Sequence, residues 1–382
     1  MTVRKTAVFV LLFLFVCFSL VFLLREKNEM VDFQVNYQAA KRLRLGETLY
    51  RVSDGHYQFK YMPFSAFLYI PLTFLPLSSA KGVWYVVILL CSGLIFFFSL
   101  KLLRLDKRRS LIIGLLSFLI LARYFLRELQ LGQINTLITF LLLLMTWLLV
   151  RDNRLRRTDA GPGLFGGLAA ALKPYAVIFF PYFALRKKGL TLASGALVLT
   201  LALLAPSLFY GLDGNFRVLN EWQSSLRAST PSLFSSQDNI SLIGFFMKWT
   251  GRQHLSFVLY LAALAALGLL VLFVLLRKEN ISEPILLECF LLLALIPLIS
   301  PLGWDYTLLS SAPAVMLILK HFDKYRPFWK VFLCLNFMVI ALSLYDFMGR
   351  DLYVSFMSWS VITINFLILI GYLAYLRVKG HA

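Results

Sequence analysis

Residues 82–109 read GVWYVVILLCSGLIFFFSLKLLRLDKRR: an uncharged apolar run from Gly82 to Leu100, then five basic side chains, Lys101, Arg104, Lys107, Arg108 and Arg109. About 20 apolar residues in a helix cross a hydrocarbon core about 30 Å thick. A Lys/Arg cluster directly after such a run holds that connector on the cytoplasmic side. The same alternation of apolar block and short basic connector recurs along the 382-residue chain. Hydrophobic residues make up 60% and charged residues 15%, whereas soluble domains carry roughly 25% charged residues. A water-soluble fold is excluded, and the blocks alternate too weakly for barrel strands. The expected architecture is all-α: a single polytopic transmembrane helical bundle over residues 1–382.

Lys plus Arg number 38 and Asp plus Glu 19, a net charge of +19. In a soluble chain this would suggest nucleic acid. Here 22 of the basic residues lie in the short connectors and set orientation, so no nucleic-acid partner is expected. Cys17, Cys91, Cys289 and Cys334 fall in apolar stretches with no CxxC spacing, as small apolar-facing residues do. The block Thr6 to Leu24 has a basic flank but no small-residue cleavage site, and reads as a retained anchor.

With the basic clusters inside, ten spans follow and both termini are cytoplasmic. Thr6–Leu24 and Gly82–Leu100 enclose a long outer loop, 25–62. Ser110–Phe125 and Gln133–Val150 form the next pair. Leu190–Tyr210 and His254–Leu276 flank a second long outer loop, 211–253. Pro284–Ser300 with Trp304–Leu319, and Val331–Tyr345 with Leu352–Leu376, complete the set. Gly161 to Leu185 does not fit: it must go out and return, yet about 25 residues cannot make two crossings of about 20 each. Lys173-Pro174 stands at its middle, where proline interrupts a helix. Two half-crossing helices with a protein-buried tip are expected, up to twelve helices in all. Pro63–Leu77, short and with three prolines, reads as an interfacial or partly re-entrant segment.

The polar residues set against this apolar background mark candidate chemistry. The first outer loop contains DFQVNYQAAKRLRLGETLY, whose periodicity predicts an amphipathic helix from Asp32 to Leu45, ended by Gly46. Asp32 either merely favours the helix dipole or acts as an acid–base group. Tyr37, Arg42, Arg44, Lys60 and Tyr61 supply cations and aromatic faces suited to a phosphate and a sugar ring, or form an ordinary interfacial belt with snorkelling cations. Further along stand Gln133 and Asn135 in LGQIN, Lys173 in the hairpin, Asn239 in SQDNIS, and Trp304, Asp305 and Tyr306 in ISPLGWDY. These either converge on one cavity or only satisfy helix ends. No Walker loop, HExxH, GxSxG or Asp-x-Asp pair occurs, and no inner connector could hold a nucleotide-binding domain.

In order, DFQVNYQAAKRLRLGETLY, FKYMPFSAFLYIPLTFLP, LGQINTLI, GLAAALKPYAVIFFPYFALRKK, QDNISLIGFFMK and SPLGWDYTLL resemble glycosyltransferase family 87, integral-membrane enzymes of the GT-C type. The resemblance implies transfer of a hexose, typically mannose, from a polyprenyl-phosphate carrier to a lipid or glycan acceptor at the outer face of the cytoplasmic membrane. It implies Asp32 as the base, the acidic residue opening the first outer loop. It departs at the last motif, where relatives often carry histidine after SP-x-x-W and this chain has Asp305 and Tyr306.

Physical logic runs the same way. Nucleotide sugars are cytoplasmic, so chemistry outside needs a lipid-anchored donor. Phosphate leaves readily when cations stabilise it, whereas the acceptor hydroxyl needs a positioned carboxylate. No cofactor is expected, and metal is not required. The rival expectation is a transporter or lipid flippase with a midplane site at Lys173.

Overall fold

The computed structural model describes residues 20, 24, 28–152, 159–277 and 283–380. The expected anchor Thr6–Leu24, apart from Leu20 and Leu24, and Cys17 lie outside the described residues. Among the described residues the regular elements are helices, joined by one isolated antiparallel bridge between Asn239 and Trp304. The α-helices run α1 Val31–Arg44, α2 Leu77–Leu103, α3 Lys107–Leu131, α4 Asn135–Asp152 and α5 Gly161–Leu172. Then come α6 Phe179–Leu185, α7 Gly189–Leu204, α8 Ser207–Ser229, α9 Leu242–Thr250 and α10 Gln253–Leu276. The chain closes with α11 Pro284–Ile299, α12 Ala312–Lys320, α13 Pro327–Leu342, α14 Tyr345–Ser358 and α15 Val361–Val378.

The ten expected spans are not all found. Four described helices, α2, α3, α10 and α15, are long and apolar enough to cross a membrane, or up to six elements if two bent pairs count as one span each. The reason lies in length and continuity: α4 and α11 are apolar but short, and 304–319 is divided between a 3-10 helix and a nine-residue α12. Every residue of α11 from Leu286 to Leu298 is buried, as is the chain from Asp305 to Ile318, a 3-10 helix (Asp305–Ser311) running into α12. A helix apolar on all sides reads the same whether its solvent is lipid or protein. At 16 residues, α11 spans about 24 Å, short of the hydrocarbon thickness. It forms the centre of the bundle. By contrast α10 leaves Phe257, Val258, Leu261, Leu269 and Phe273 exposed, a surface suited to lipid. The expected span Leu190–Tyr210 turns by 88° between α7 and the segment from Ser207. The expected second outer loop, 211–253, is largely helical, carried by α8 and α9.

The hairpin breaks where the sequence predicts. α5 ends at Lys173, whose backbone is extended (φ −141°, ψ 119°), and Pro174 opens a 3-10 turn that leads into α6. α5 lies against α7 through glycine: a Cβ on Gly163 would stand 1.9 Å from the Thr191 carbonyl oxygen, and one on Gly167 2.6 Å from that of Gly195. This is the close approach small residues permit between membrane helices. The letters GPGLFG at 161–166 have dinucleotide-motif spacing, but inside α5 they serve this packing. Pro63–Phe74 is a 3-10 helix with Pro63, Ser65, Ala66, Tyr69 and Thr73 buried. Cys91 and Cys289 are buried free thiols and Cys334 is an exposed one.

α1 begins one residue earlier than the sequence predicts and stops just before Gly46, which has φ +67°. It docks by its start. The Met30 amide donates to the Gln130 carbonyl at 2.9 Å, and Lys81 Nζ donates to the Glu29 carbonyl at 2.7 Å. Phe33, fully buried, packs against Tyr69 and Trp84 with ring centroids 5.9 and 6.0 Å away. Beneath it Gly132 ends α3 at φ +68°, where a Cβ would lie 2.7 Å from Cβ of Phe33. Replacing Gly132 by Ala imposes both a clash and a left-handed strain. A loss of about 1–3 kcal/mol is expected, read as a lower thermal midpoint of the purified protein.

Candidate active site

Docking of α1 on the end of α3 carries Asp32 to the residue that follows the α3 cap, Gln133. Gln133 Nε2 donates to Asp32 Oδ2 at 2.7 Å and to the Tyr306 hydroxyl at 3.3 Å. Its Oε1 accepts from the Tyr61 hydroxyl at 3.2 Å and from Lys173 Nζ at 3.3 Å. One amide thus joins the segment 32–61, the hairpin break and the SPLGWDY turn. Lys173 Nζ also donates to Asn135 Oδ1 at 2.8 Å, as the Tyr175 hydroxyl does at 3.0 Å. Asn135 Nδ2 in turn donates to Glu128 Oε2 at 2.8 Å, and the Thr136 amide to Glu128 Oε1 at 2.8 Å. The ammonium of Lys173 faces the rings of Tyr61, Tyr175 and Tyr306 at 5.0, 5.8 and 6.0 Å. A buried cation is held by amide oxygens, by aromatic faces and by two carboxylates one side chain away.

Asp32 itself is only partly buried, and its Oδ1 accepts no hydrogen bond among the described residues. Burial raises its carboxyl above the ordinary 3.8. The Gln133 hydrogen bond, then the charges of Lys173, Arg127 and His56, pull it back in part. A carboxylate of this kind is anchored by one oxygen and offers the other as a proton acceptor. If Asp32 is the base, activity needs its ionised form, so the acid limb of the rate profile lies above the pH at which an exposed aspartate titrates. Gln133→Leu removes the hydrogen bond that lowers it, and the limb then moves to still higher pH. Transfer rates measured across the acid range check the direction; an unmoved limb would contradict it.

Of the sequence candidates, Asp32, Tyr61, Gln133, Asn135, Lys173 and Tyr306 meet in this network. Burial lowers Lys60 from the ordinary lysine value, and the charge of Asp32 opposes that shift. Others do not join. Arg42, ten residues beyond Asp32 and so about 15 Å along α1, forms a two-point pair with Asp54 at 2.5 and 2.9 Å. Arg44 lies 4.5 Å over the Phe74 ring. The Tyr37 hydroxyl donates to the Leu75 carbonyl at 2.9 Å, tying α1 to the end of the 3-10 helix.

Asn239, Trp304 and Asp305 form the frame behind Tyr306. Asn239 Nδ2 donates to the Leu233, Phe234 and Pro301 carbonyls, and its Oδ1 accepts from the Ser241 and Gly303 amides. That amide is spent on fixing the turn, and the backbone bridge to Trp304 continues it. Asp305 Oδ1 accepts from the Tyr306 amide at 2.8 Å, and its Oδ2 from Arg123 Nη2 at 2.7 Å. Arg123 also donates to the Tyr353 hydroxyl at 2.5 Å and to the Ser343 carbonyl. Asp305 holds Tyr306 in place.

Sequence reasoning assigned no role to Glu128, Tyr175, Arg123 or Arg127. For Arg123, Arg127 and Glu128 the signal was present in RYFLRELQLGQIN, three charged residues at the end of an apolar run.

The model of glycosyltransferase family 87 matches residues 59–301 of the chain. The matched stretch contains Tyr61, Gln133, Asn135 and Lys173; Asp32 and Tyr306 flank it. No curated protein matches, and no solved structure does.

Proposed function

The chain belongs to glycosyltransferase family 87 and is a membrane glycosyltransferase; we propose that it moves a hexose, mannose by expectation, from a polyprenyl-phosphate-linked donor to a lipid or glycan acceptor. The observation that carries this reading is the carboxylate of Asp32, held by Gln133 through one oxygen and open at the other. In the proposed reaction Asp32 Oδ1 takes the proton of an acceptor hydroxyl as its oxygen bonds to the anomeric carbon. The bond from that carbon to the phosphate oxygen breaks, its electron pair leaves with polyprenyl phosphate, and the sugar inverts. The leaving phosphate is stabilised by nearby cations, so no general acid is required.

An outward-facing site is supported by the distribution of charge along α2. Near its start, Trp84 Nε1 donates to the Gly132 carbonyl, beside the network. At its far end Arg104 pairs with Glu283 at 3.2 Å, amid the basic connectors that the positive-inside rule assigns to the cytoplasm. The rival reading as a transporter would give Lys173 to a cargo. Its ammonium is 6% exposed as a residue and engaged by Gln133 and Asn135, which suits an internal support better than a carrier site.

The test is mass spectrometry of membrane lipids from cells with and without the protein. A species one hexose heavier is expected only where the protein is present. Identical lipid and glycan profiles would reject the reading.

A further inference from the structure

A donor phosphate near Asp32 needs cations, and those named from sequence are mostly engaged elsewhere: Arg42 by Asp54, Arg44 by Phe74, Lys173 by Gln133 and Asn135. Two further cations are less committed. Lys60 Nζ, partly buried on the first outer segment, has no hydrogen bond or ion pair among the described residues. Arg127, on α3 one residue before Glu128, touches only Gln130 Oε1 at 3.3 Å and Asp238 Oδ2 at 3.9 Å, with its side chain 41% exposed. The turn that carries it is the one on which α1 docks, through the Met30 amide on the Gln130 carbonyl. Lys60 directly precedes Tyr61, whose hydroxyl donates to Gln133, the residue that holds Asp32.

Resting on the donor reading above, we propose that Arg127 and Lys60 together clamp a lipid phosphate monoester, with the sugar's anomeric carbon between that phosphate and the free oxygen of Asp32. The planar guanidinium binds two phosphate oxygens and the ammonium neutralises the third as charge builds on the leaving group. Asp238 Oδ2, 3.9 Å from Arg127, is a long ion pair that a phosphate can displace. Arg127 acts on the leaving group and Asp32 on the acceptor, so their effects separate.

The test is binding of polyprenyl phosphate, polyprenol and inorganic phosphate to the full-length protein in lipid nanodiscs. Wild type and Asp32→Asn are expected to prefer polyprenyl phosphate to polyprenol. Arg127→Gln and Lys60→Gln each weaken polyprenyl phosphate about tenfold or more and leave polyprenol unchanged, while Arg127→Lys keeps part of the preference. Thermal midpoints identify any variant that fails to fold, and Arg127→Lys then carries the comparison. Full preference in Arg127→Gln would overturn the clamp and leave the donor reading standing. No preference in wild type would overturn both. Displacement of the lipid by inorganic phosphate at equal concentration would overturn a lipid-specific clamp.

Discussion

Asp32→Asn is expected to lower the turnover of sugar transfer by about 10² to 10⁴-fold, the range of general-base catalysis, without unfolding the protein. The amide keeps the shape of the carboxylate, and its oxygen can still accept from Gln133 Nε2, the bond that measures 2.7 Å with Asp32. What it loses is the basic oxygen. Since Asp32 does not act on the leaving phosphate, donor binding should persist while turnover falls. That pattern separates loss of a base from loss of a binding group. Asp32→Glu should recover little, because a longer side chain displaces the carboxylate from its Gln133 anchor. Near-normal transfer by Asp32→Asn in a lipid-linked donor assay would remove Asp32 from the chemistry.

The second large effect is on stability. Asp305→Ala strands Arg123, whose side chain is 8% exposed and whose partner carboxylate is 4% exposed. Breaking one side of a buried pair costs about 3–5 kcal/mol, because the remaining charge stays uncompensated in a poor solvent. The thermal midpoint should fall sharply, and transfer should fall with it because the Tyr306 amide loses its acceptor. Replacing both partners, Arg123→Met with Asp305→Leu, should restore much of the midpoint but little of the activity. A single variant as stable as wild type would show that the pair contributes nothing.

Several features could be read before any coordinates. The α1 helix was visible because its apolar residues recur at helical spacing and Gly46 supplies the left-handed stop. The break at Lys173-Pro174 was visible because proline has no amide to donate and clashes with the preceding turn. Asp32, Gln133, Asn135 and Lys173 stood out as polar groups beside apolar runs, where each needs a partner.

Other features were hidden for physical reasons. The span count among the described residues falls short at α11 and its neighbour, since an apolar run does not show how much of it forms one continuous helix. Arg42 looked like a phosphate ligand because Asp54 lies twelve residues away, and only the turn of the chain through Val52–Tyr57 makes them a pair. Asn239 looked available because the carbonyls and amides that consume its side chain come partly from the turn at Pro301 and Gly303. Arg127 was given no role, and its relation to Asp32 depends on how α1 docks on α3.

The most direct measurement is made on the purified protein in liposomes, supplied with polyprenyl-phosphate-mannose and a candidate lipid acceptor and analysed by mass spectrometry. The account predicts polyprenyl phosphate and a hexose-bearing acceptor in equal amounts, formed by wild type and almost absent with Asp32→Asn. Movement of the donor across the bilayer without any hexosylated product would contradict it.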